Sequence, residues 1–342
     1  MKAVVIREHG GLDSLLWEDL PDPEPKADEA LVEVKACGVN HLDLWLRKGV
    51  PGHRYPLPMI PGNDIAGVVR KVGSAVKEFK AGDEVIVAPG ISCGKCAACA
   101  QGDDHLCRWY GIIGEHRDGG YAELVSVPGG NLLSKPQGIS FKEAAAFPLV
   151  FLTAWHMIVD RAGVREGEDV LVHAAGSGVG SAAIQVARLH GGNVIATAGS
   201  KEKLDRAKEL GATHLIDYRK EDFADRVREI THKRGVDVIV DSVGKDTWPG
   251  NIKSLAKGGR LVFCGATSGW DVTTDVRRVF FKGLSILGST MGTRGELREV
   301  LAHLASGRLK AVVDSVLPLE QAREAHRKLE AREAFGKIIL EP

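Results

Sequence analysis

Two rhythms of apolar and polar residues divide the chain. Up to about residue 140, short apolar runs such as Ala3–Ile6, Ala30–Ala36, Ala66–Gly73 and Asp83–Pro89 are separated by proline and glycine clusters. Runs of this length between turn formers predict many short antiparallel strands. From Asp169 onward Asp169–Ala175 reads as a strand, Ser177–His190 as a helix, Asn193–Ala198 as a strand and Lys201–Ala212 as a helix. Further strands are expected within His214–Asp217, Gly235–Gly244, Gly258–Ala266 and Leu284–Thr290. About six strands alternating with helices predict a doubly wound parallel sheet. The tail reads as a helix over Gly295–Leu309, a strand at Val312–Val316, a helix over Leu319–Ala331 and a last strand within Gly336–Pro342. It is expected to return to the first domain, which gives a β-rich domain of residues 1–145 and 289–342 and a doubly wound α/β domain of residues 146–288.

A chain of 342 residues exceeds one ordinary core, and two domains meeting at a cleft is the expectation. Lys plus Arg and Asp plus Glu number 45 each, so no overall field draws the chain to nucleic acid or to an anionic bilayer. The start turns charged at Arg7 and Glu8, and the most apolar window, Ala144–Met157, is interrupted by Pro148 and too short to span a membrane. A cytoplasmic protein acting on a small molecule is expected. Four of the six cysteines fall between Cys93 and Cys107, which suggests a metal cluster over a disulfide framework, while Cys37 and Cys264 read as small buried hydrophobes.

The strand before Gly176 runs into Gly176, Ser177, Gly178, Val179 and Gly180 and then a helix. Pyrophosphate binds at such a helix start because unpaired N–H groups point outward and small residues let the phosphates approach. The glycine fingerprint is imperfect, since Ala175 and Ser177 take its first two positions when Gly180 takes the third. The next strand ends Thr197-Ala198-Gly199-Ser200-Lys201 with no carboxylate at its tip. An acid there reads a free ribose hydroxyl, whereas Ser200 with Lys201 and Lys203 suits a 2′-phosphate, so NADPH is favoured over NADH. The alternative is that these lysines only decorate a helix face.

Cys93-x2-Cys96-x2-Cys99-x7-Cys107 places four soft ligands in a lobe of about residues 90–110. Four thiolates close a tetrahedral shell around zinc and leave no position for substrate, so one structural zinc per chain is expected. The run lacks the Cys-Pro ligand of bacterial ferredoxin spacing, which disfavours an iron–sulfur cluster.

A cysteine lobe inside a β-rich domain, followed by a nucleotide-binding domain, resembles the medium-chain dehydrogenase/reductase superfamily over essentially the whole chain. Gly38-Val39-Asn40-His41-Leu42-Asp43, Gly62-Asn63-Asp64 with Gly67, Gly82-Asp83 and Gly120-Tyr121-Ala122-Glu123 carry the likeness. The resemblance implies an α/β chain with a Rossmann domain and a GroES-like catalytic domain bearing a structural zinc lobe. In the zinc alcohol dehydrogenases of that superfamily, a cysteine stands at the Asn40 position, a histidine at Asn63, a glutamate at Asp64, a second cysteine at Leu149 and a hydroxyl residue at Leu42. The catalytic zinc set is therefore read as dismantled here, with a rebuilt site using His41, His53 or Asp64 as the alternative.

The zinc-independent quinone reductases of the superfamily are similar to this chain in the opposite places. The likeness implies that Asn40 contacts the cofactor and that Lys203 and Tyr218 hold a 2′-phosphate. It also implies that Asn40, Asp64 and Thr153 line the reaction end, with Gly176, Gly178, Val179, Gly180 and Ser200 along the cofactor. Ser242, Val243, Gly265, Ala266 and Lys337 would complete the nicotinamide pocket. Asp64 and Asp43 can equally be structural acceptors for loop N–H groups, and His41 a binding or surface residue. Without a catalytic metal, intrinsically electrophilic quinones and α,β-unsaturated carbonyls are the expected substrates. An alcohol or aldehyde dehydrogenase with an unconventional metal site and a non-catalytic cofactor-binding protein remain alternatives. Pairing of sheet edges predicts a homodimer or homotetramer.

Overall fold

The computed structural model describes all residues 1–342. The chain forms two compact units, Met1–Leu149 with Thr293–Pro342, and Val150–Gly292. The division falls a few residues beyond the positions expected from the sequence, inside the helix that begins at Pro148. Pro148 opens the helix Pro148–Trp155, which continues as the π-helical turn His156–Arg161. A proline is tolerated at a helix start, where its missing N–H has no partner to lose.

The first unit is built on a seven-stranded sheet in the order Val313–Pro318, Lys337–Glu341, Glu29–Gly38, Asp64–Val72, Glu84–Val87 and Leu132–Ser134, with Leu124–Pro128 also paired to Glu29–Gly38. The pairings are antiparallel as expected, except that Val313–Pro318 and Lys337–Glu341 run parallel. The helix Ala322–Glu330 lies between those two strands in the chain and supplies the crossover that a parallel pair requires. Alternating residues of the long strands, among them Val32, Val34, Ile65 and Val69, enter a core that also takes Leu319, Ala325 and Ile338 from the tail.

The second unit holds a six-stranded parallel sheet in the order His214–Asp217, Asn193–Ala198, Asp169–Val172, Val236–Asp241, Leu255–Phe263 and Ser285–Gly288. In chain order that is three-two-one-four-five-six, the doubly wound arrangement, with its switch point between Asp169–Val172 and Val236–Asp241. Val170, Leu171 and Val172 are buried, as central parallel strands covered on both faces must be. No helix is long and apolar enough to cross a membrane.

Candidate active site and zinc lobe

Four sulfurs converge at one point of the first unit. The Sγ atoms of Cys93, Cys96, Cys99 and Cys107 lie within 4.8 Å of one another, with Cys96 to Cys99 at 3.5 Å and Cys93 to Cys99 at 4.0 Å. Tetrahedral zinc–thiolate bonds of about 2.3 Å put sulfurs about 3.8 Å apart, so these residues fit the ion, whereas a disulfide needs about 2.05 Å. The N–H groups of Cys93 and Trp109 both donate to Cys107 Sγ at 3.4 Å, which fixes that sulfur in place. The short helix Ala97–Gln101 starts after Cys96 and carries Cys99, and Gly102 at φ +90° closes it before the chain reaches Cys107.

A second polar cluster has a different composition. The sheet register sets Gly38 opposite both Asp64 and Ile339, so the residues that follow Gly38 meet the start of each neighbouring strand. Glycine is needed at 38: a Cβ would come 2.4 Å from the Ala145 carbonyl oxygen and 3.1 Å from Lys337 Cε. The Asn40 amide donates to Asn63 Oδ1 at 2.7 Å and to Asp64 Oδ2 at 2.8 Å, and its own Oδ1 accepts from Lys337 Nζ. The Lys337 ammonium also donates to Asp64 Oδ2 at 2.9 Å and to the Val39 carbonyl at 2.8 Å. Asp64 Oδ1 takes the Leu149 N–H at 2.8 Å. Asp64 is 0% exposed and Lys337 3%. All three ammonium hydrogens are engaged, so Lys337, expected as a cofactor-binding residue, is the counter-ion of Asp64.

These residues do not fit a catalytic zinc. The carboxylate is occupied on both oxygens and neutralised, the amides are paired to each other, and Leu149 contributes only a backbone N–H. His41 and His53 do not gather with Asp64 either, since the four thiols are the one group of three or more metal-binding side chains in the structure.

Behind the cluster, Asp43 accepts the Asn40 N–H at 2.8 Å, the Gly62 N–H at 3.1 Å and the Tyr121 hydroxyl at 3.1 Å. It is a structural acceptor, although burial pushes its carboxyl up to about 6. Tyr121 also meets His326 Nε2 at 3.2 Å, and His326 Nδ1 faces the buried Arg47, whose guanidinium pairs with Glu330. Burial, with Arg47 beside it, lowers the His326 imidazole to about 3. Burial likewise lowers His41 to about 4, so its ring is neutral at pH 7. Cys37 is buried as expected, but Cys264 is only half-buried.

In the second unit the glycine loop has the expected form. Ala174 carries a positive φ of +50°, and Ser177 caps the helix Gly178–Leu189 by accepting the Gly180 N–H at 2.9 Å. A Cβ on Gly180 would lie 2.2 Å from the Ala174 carbonyl oxygen, so that turn admits only glycine. With Gly180 capped, the N–H groups of Gly178 and Val179 are the donors left at the helix mouth beside Gly176. Ser200 caps the next helix by accepting the Lys203 N–H at 3.3 Å. Tyr218 Oη and Arg219 Nε crowd Gly199 so closely that a Cβ there would lie 2.7 and 3.0 Å away. The loop of Ser242 and Val243 is tied down by buried Asp241, which accepts the Val243 N–H at 2.6 Å, the Thr247 hydroxyl at 2.7 Å and the Asn251 amide at 2.8 Å. A Cβ on Gly265 would come 3.2 Å from the Ser242 carbonyl oxygen, which brings Gly265 and Ala266 against that loop. Thr153 lies in the helix Pro148–Trp155 with a buried hydroxyl that has no hydrogen-bond partner, a donor left over for a bound group.

The sequence reading named the four thiols, Asn40, Asp64 and the glycine loop, but placed Lys337 with the cofactor and not with Asp64. It did not identify Arg219, His326, Arg47 or Asp241. Only Arg219, a cation directly after Tyr218, left a signal that could have been found.

Residues 26–137 match the family model of the alcohol dehydrogenase GroES-like domain, and residues 178–306 match that of zinc-binding dehydrogenases. A quinone oxidoreductase from Pongo abelii is 32% identical over 99% of this chain and 97% of its own length. The chain belongs to the medium-chain dehydrogenase/reductase superfamily. A NAD-dependent alcohol dehydrogenase from Sulfolobus acidocaldarius is 33% identical over 99% of both chains. The crystal structure of a NAD-dependent alcohol dehydrogenase superposes with a TM-score of 0.97 at 52% identity, covering 100% of both chains. This medium-chain dehydrogenase/reductase is thus an NAD(P)-dependent oxidoreductase of the alcohol dehydrogenase and quinone oxidoreductase type, with a nicotinamide cofactor and a four-thiol lobe suited to zinc.

Proposed function

We propose that the protein reduces quinones or α,β-unsaturated carbonyls with NADPH and without a catalytic metal. The observation that carries this reading is the closed Asn40–Asn63–Asp64–Lys337 cluster, in which an ammonium already neutralises the acid that would otherwise face an ion. Reduced nicotinamide, when bound, supplies the hydride. The chain's part is to hold the cofactor and substrate and exclude water. Gly176, Gly178, Val179 and Gly180 would hold the pyrophosphate, and Thr153, Ser242, Val243, Gly265 and Ala266 the nicotinamide end. Asn40 and Asp64, locked together with Lys337, form a fixed polar cluster without net charge in the first unit. Ser200, Lys203 and Tyr218 favour a 2′-phosphate, and Arg219 against Gly199 adds a further cation.

The deciding experiment is NADPH oxidation against quinones, enones, aldehydes and ketones, with metal counted and chelator controls run alongside. One zinc per chain with rates insensitive to removal of loosely bound metal supports the reading. Two metals and alcohol oxidation support the alcohol dehydrogenase reading, which the name of the 52% identical structure favours. Tight NADPH binding with no turnover of any substrate would mark a non-catalytic protein. Arg219→Ala should raise the KM for NADPH about tenfold and leave that for NADH nearly unchanged, a difference of about 1.4 kcal/mol; equal changes in both would reverse the cofactor preference.

We also propose a homodimer or homotetramer. The outer strand Ser285–Gly288 leaves Ile286 exposed, and Phe280 and Phe281 stand exposed on the preceding helix, an apolar edge suited to a second copy of the chain. A reducing compartment such as the cytoplasm fits six cysteines free of disulfides.

A further inference from the structure

The three loops of the second unit assigned above to the cofactor follow three neighbouring strands. The glycine loop follows Asp169–Val172, the Gly199–Ser200 turn follows Asn193–Ala198, and the Ser242–Val243 loop follows Val236–Asp241. One chain of side-chain hydrogen bonds joins the ends of all three strands. His173 stands at its centre, directly after the first of them. Its Nδ1 lies 3.1 Å from Thr197 Oγ1, and its Nε2 lies 2.7 Å from Asn251 Oδ1. The Asn251 amide donates in turn to Asp241 Oδ2 at 2.8 Å. All four residues are buried.

The direction of each bond follows from the acid. Asp241 takes the Asn251 NH2 group, so the Asn251 oxygen faces the imidazole, and an oxygen facing Nε2 needs a hydrogen there. Burial lowers the His173 imidazole below its ordinary range, against the pull of Asp241 and Asn251, so the ring is neutral at pH 7. Nδ1 is then bare and accepts the Thr197 hydroxyl hydrogen. Phe223 meets the ring edge-on with centroids 4.7 Å apart, which holds its plane. The backbone adds two ties: the His173 N–H donates to the Val240 carbonyl at 3.1 Å and the Ala175 N–H to the Thr197 carbonyl at 2.9 Å. Turning the ring would leave the Thr197 hydroxyl and the Asn251 oxygen buried and unpaired, which is costly.

We propose that His173 is a positioning residue for the dinucleotide, setting the spacing of the three loops from beneath without itself reaching the cofactor. The assignment rests on the reading that these loops hold the cofactor. A dinucleotide meets all three loops at once, so a shift of one strand end weakens the grip on the whole molecule. A neutral ring with its hydrogen fixed on Nε2 links a donor on one side to an acceptor on the other, which no aliphatic side chain can do. The ring sets spacing and brings no charge to the ribose 2′ position, so NADPH and NADH depend on it equally. Arg219, by contrast, acts on the 2′-phosphate alone.

The test measures NADPH and NADH binding to the zinc-loaded full chain by fluorescence titration. His173→Leu should weaken both about tenfold, and Thr197→Val, nearly unchanged in shape, should weaken both about fivefold. His173→Gln, whose amide offers one donor and one acceptor, should bind both about threefold more tightly than His173→Leu. Ile216→Val, a small cavity in the same sheet, should lower the melting temperature and leave both affinities unchanged. Nitrogen NMR of the cofactor-free parent should find the His173 hydrogen on Nε2. Should His173→Leu fail to fold, Thr197→Val and the NMR spectrum decide. A hydrogen on Nδ1, affinities within about twofold of the parent, or a loss confined to NADPH overturns the assignment while the reading of the loops stands. Equal weakening in Ile216→Val overturns it too, since packing alone would then explain the effect. Parent protein that binds neither nucleotide overturns both.

Discussion

The first unit contains two polar clusters of opposite design. The thiol lobe gathers four sulfurs that, as thiolates, repel one another and require a cation from outside. The Asn40 cluster gathers one carboxylate, two amides and the Lys337 ammonium, so its cation is part of the chain. One cluster thus lacks the positive charge that its ligands call for, and the other carries it on a side chain of its own.

The largest effect should come from emptying the lobe, because structural zinc contributes about 10–16 kcal/mol to the folding of small zinc-held segments. Cys96→Ser should take the metal content from one zinc to none and remove hydrogen-exchange protection across residues 93–109. Protection in Glu29–Gly38 should persist; its loss would mean that the two clusters are not independent. Next in size is Lys337→Met, which leaves Asp64 buried and unpaired at a cost of about 3–5 kcal/mol in chemical denaturation. Adding Asp64→Asn should recover most of it, and a double variant as unstable as the single one would deny the pair its counter-ion role.

A similar effect is expected from pH. The folded His326 imidazole titrates at about 3 rather than near 6.5, so its contribution is fully present above pH 6.5 and is lost as pH falls toward 3. Two units below 6.5 that amounts to about 3 kcal/mol. Asp43, raised to about 6, has the opposite sign: its contribution is present at low pH and lost as pH rises through 6. His326→Gln should therefore flatten the fall of the melting temperature between pH 7 and 4.5, and an unchanged fall would move acid sensitivity elsewhere. The smallest effect belongs to Asn63→Ala, which deprives Asn40 of one acceptor and should cost about 1 kcal/mol in denaturation.

Most of the fold could be read from the chain because periodicity is local. Strand runs, the glycine loop of residues 176–180 and the cysteine spacing each lie within a few residues. The parallel pair of tail strands could not be read, since strand direction is settled by which neighbour a strand meets and not by its own pattern. The site divides along the same line. Asn40 and Asp64 were found as departures from a zinc-binding pattern, and Lys337 was named as a cofactor contact. What the ammonium holds depends on a register between strands that are remote in the chain.

That remoteness has a bearing on biosynthesis. Lys337 and Asp64 are 273 residues apart, so for most of translation the acid and its amide partners exist without their counter-charge. The sheet can begin to zip from its early strands, but its polar centre must stay hydrated until the tail arrives. Contacts of such long range form slowly. Closure of this cluster is therefore a late step of folding.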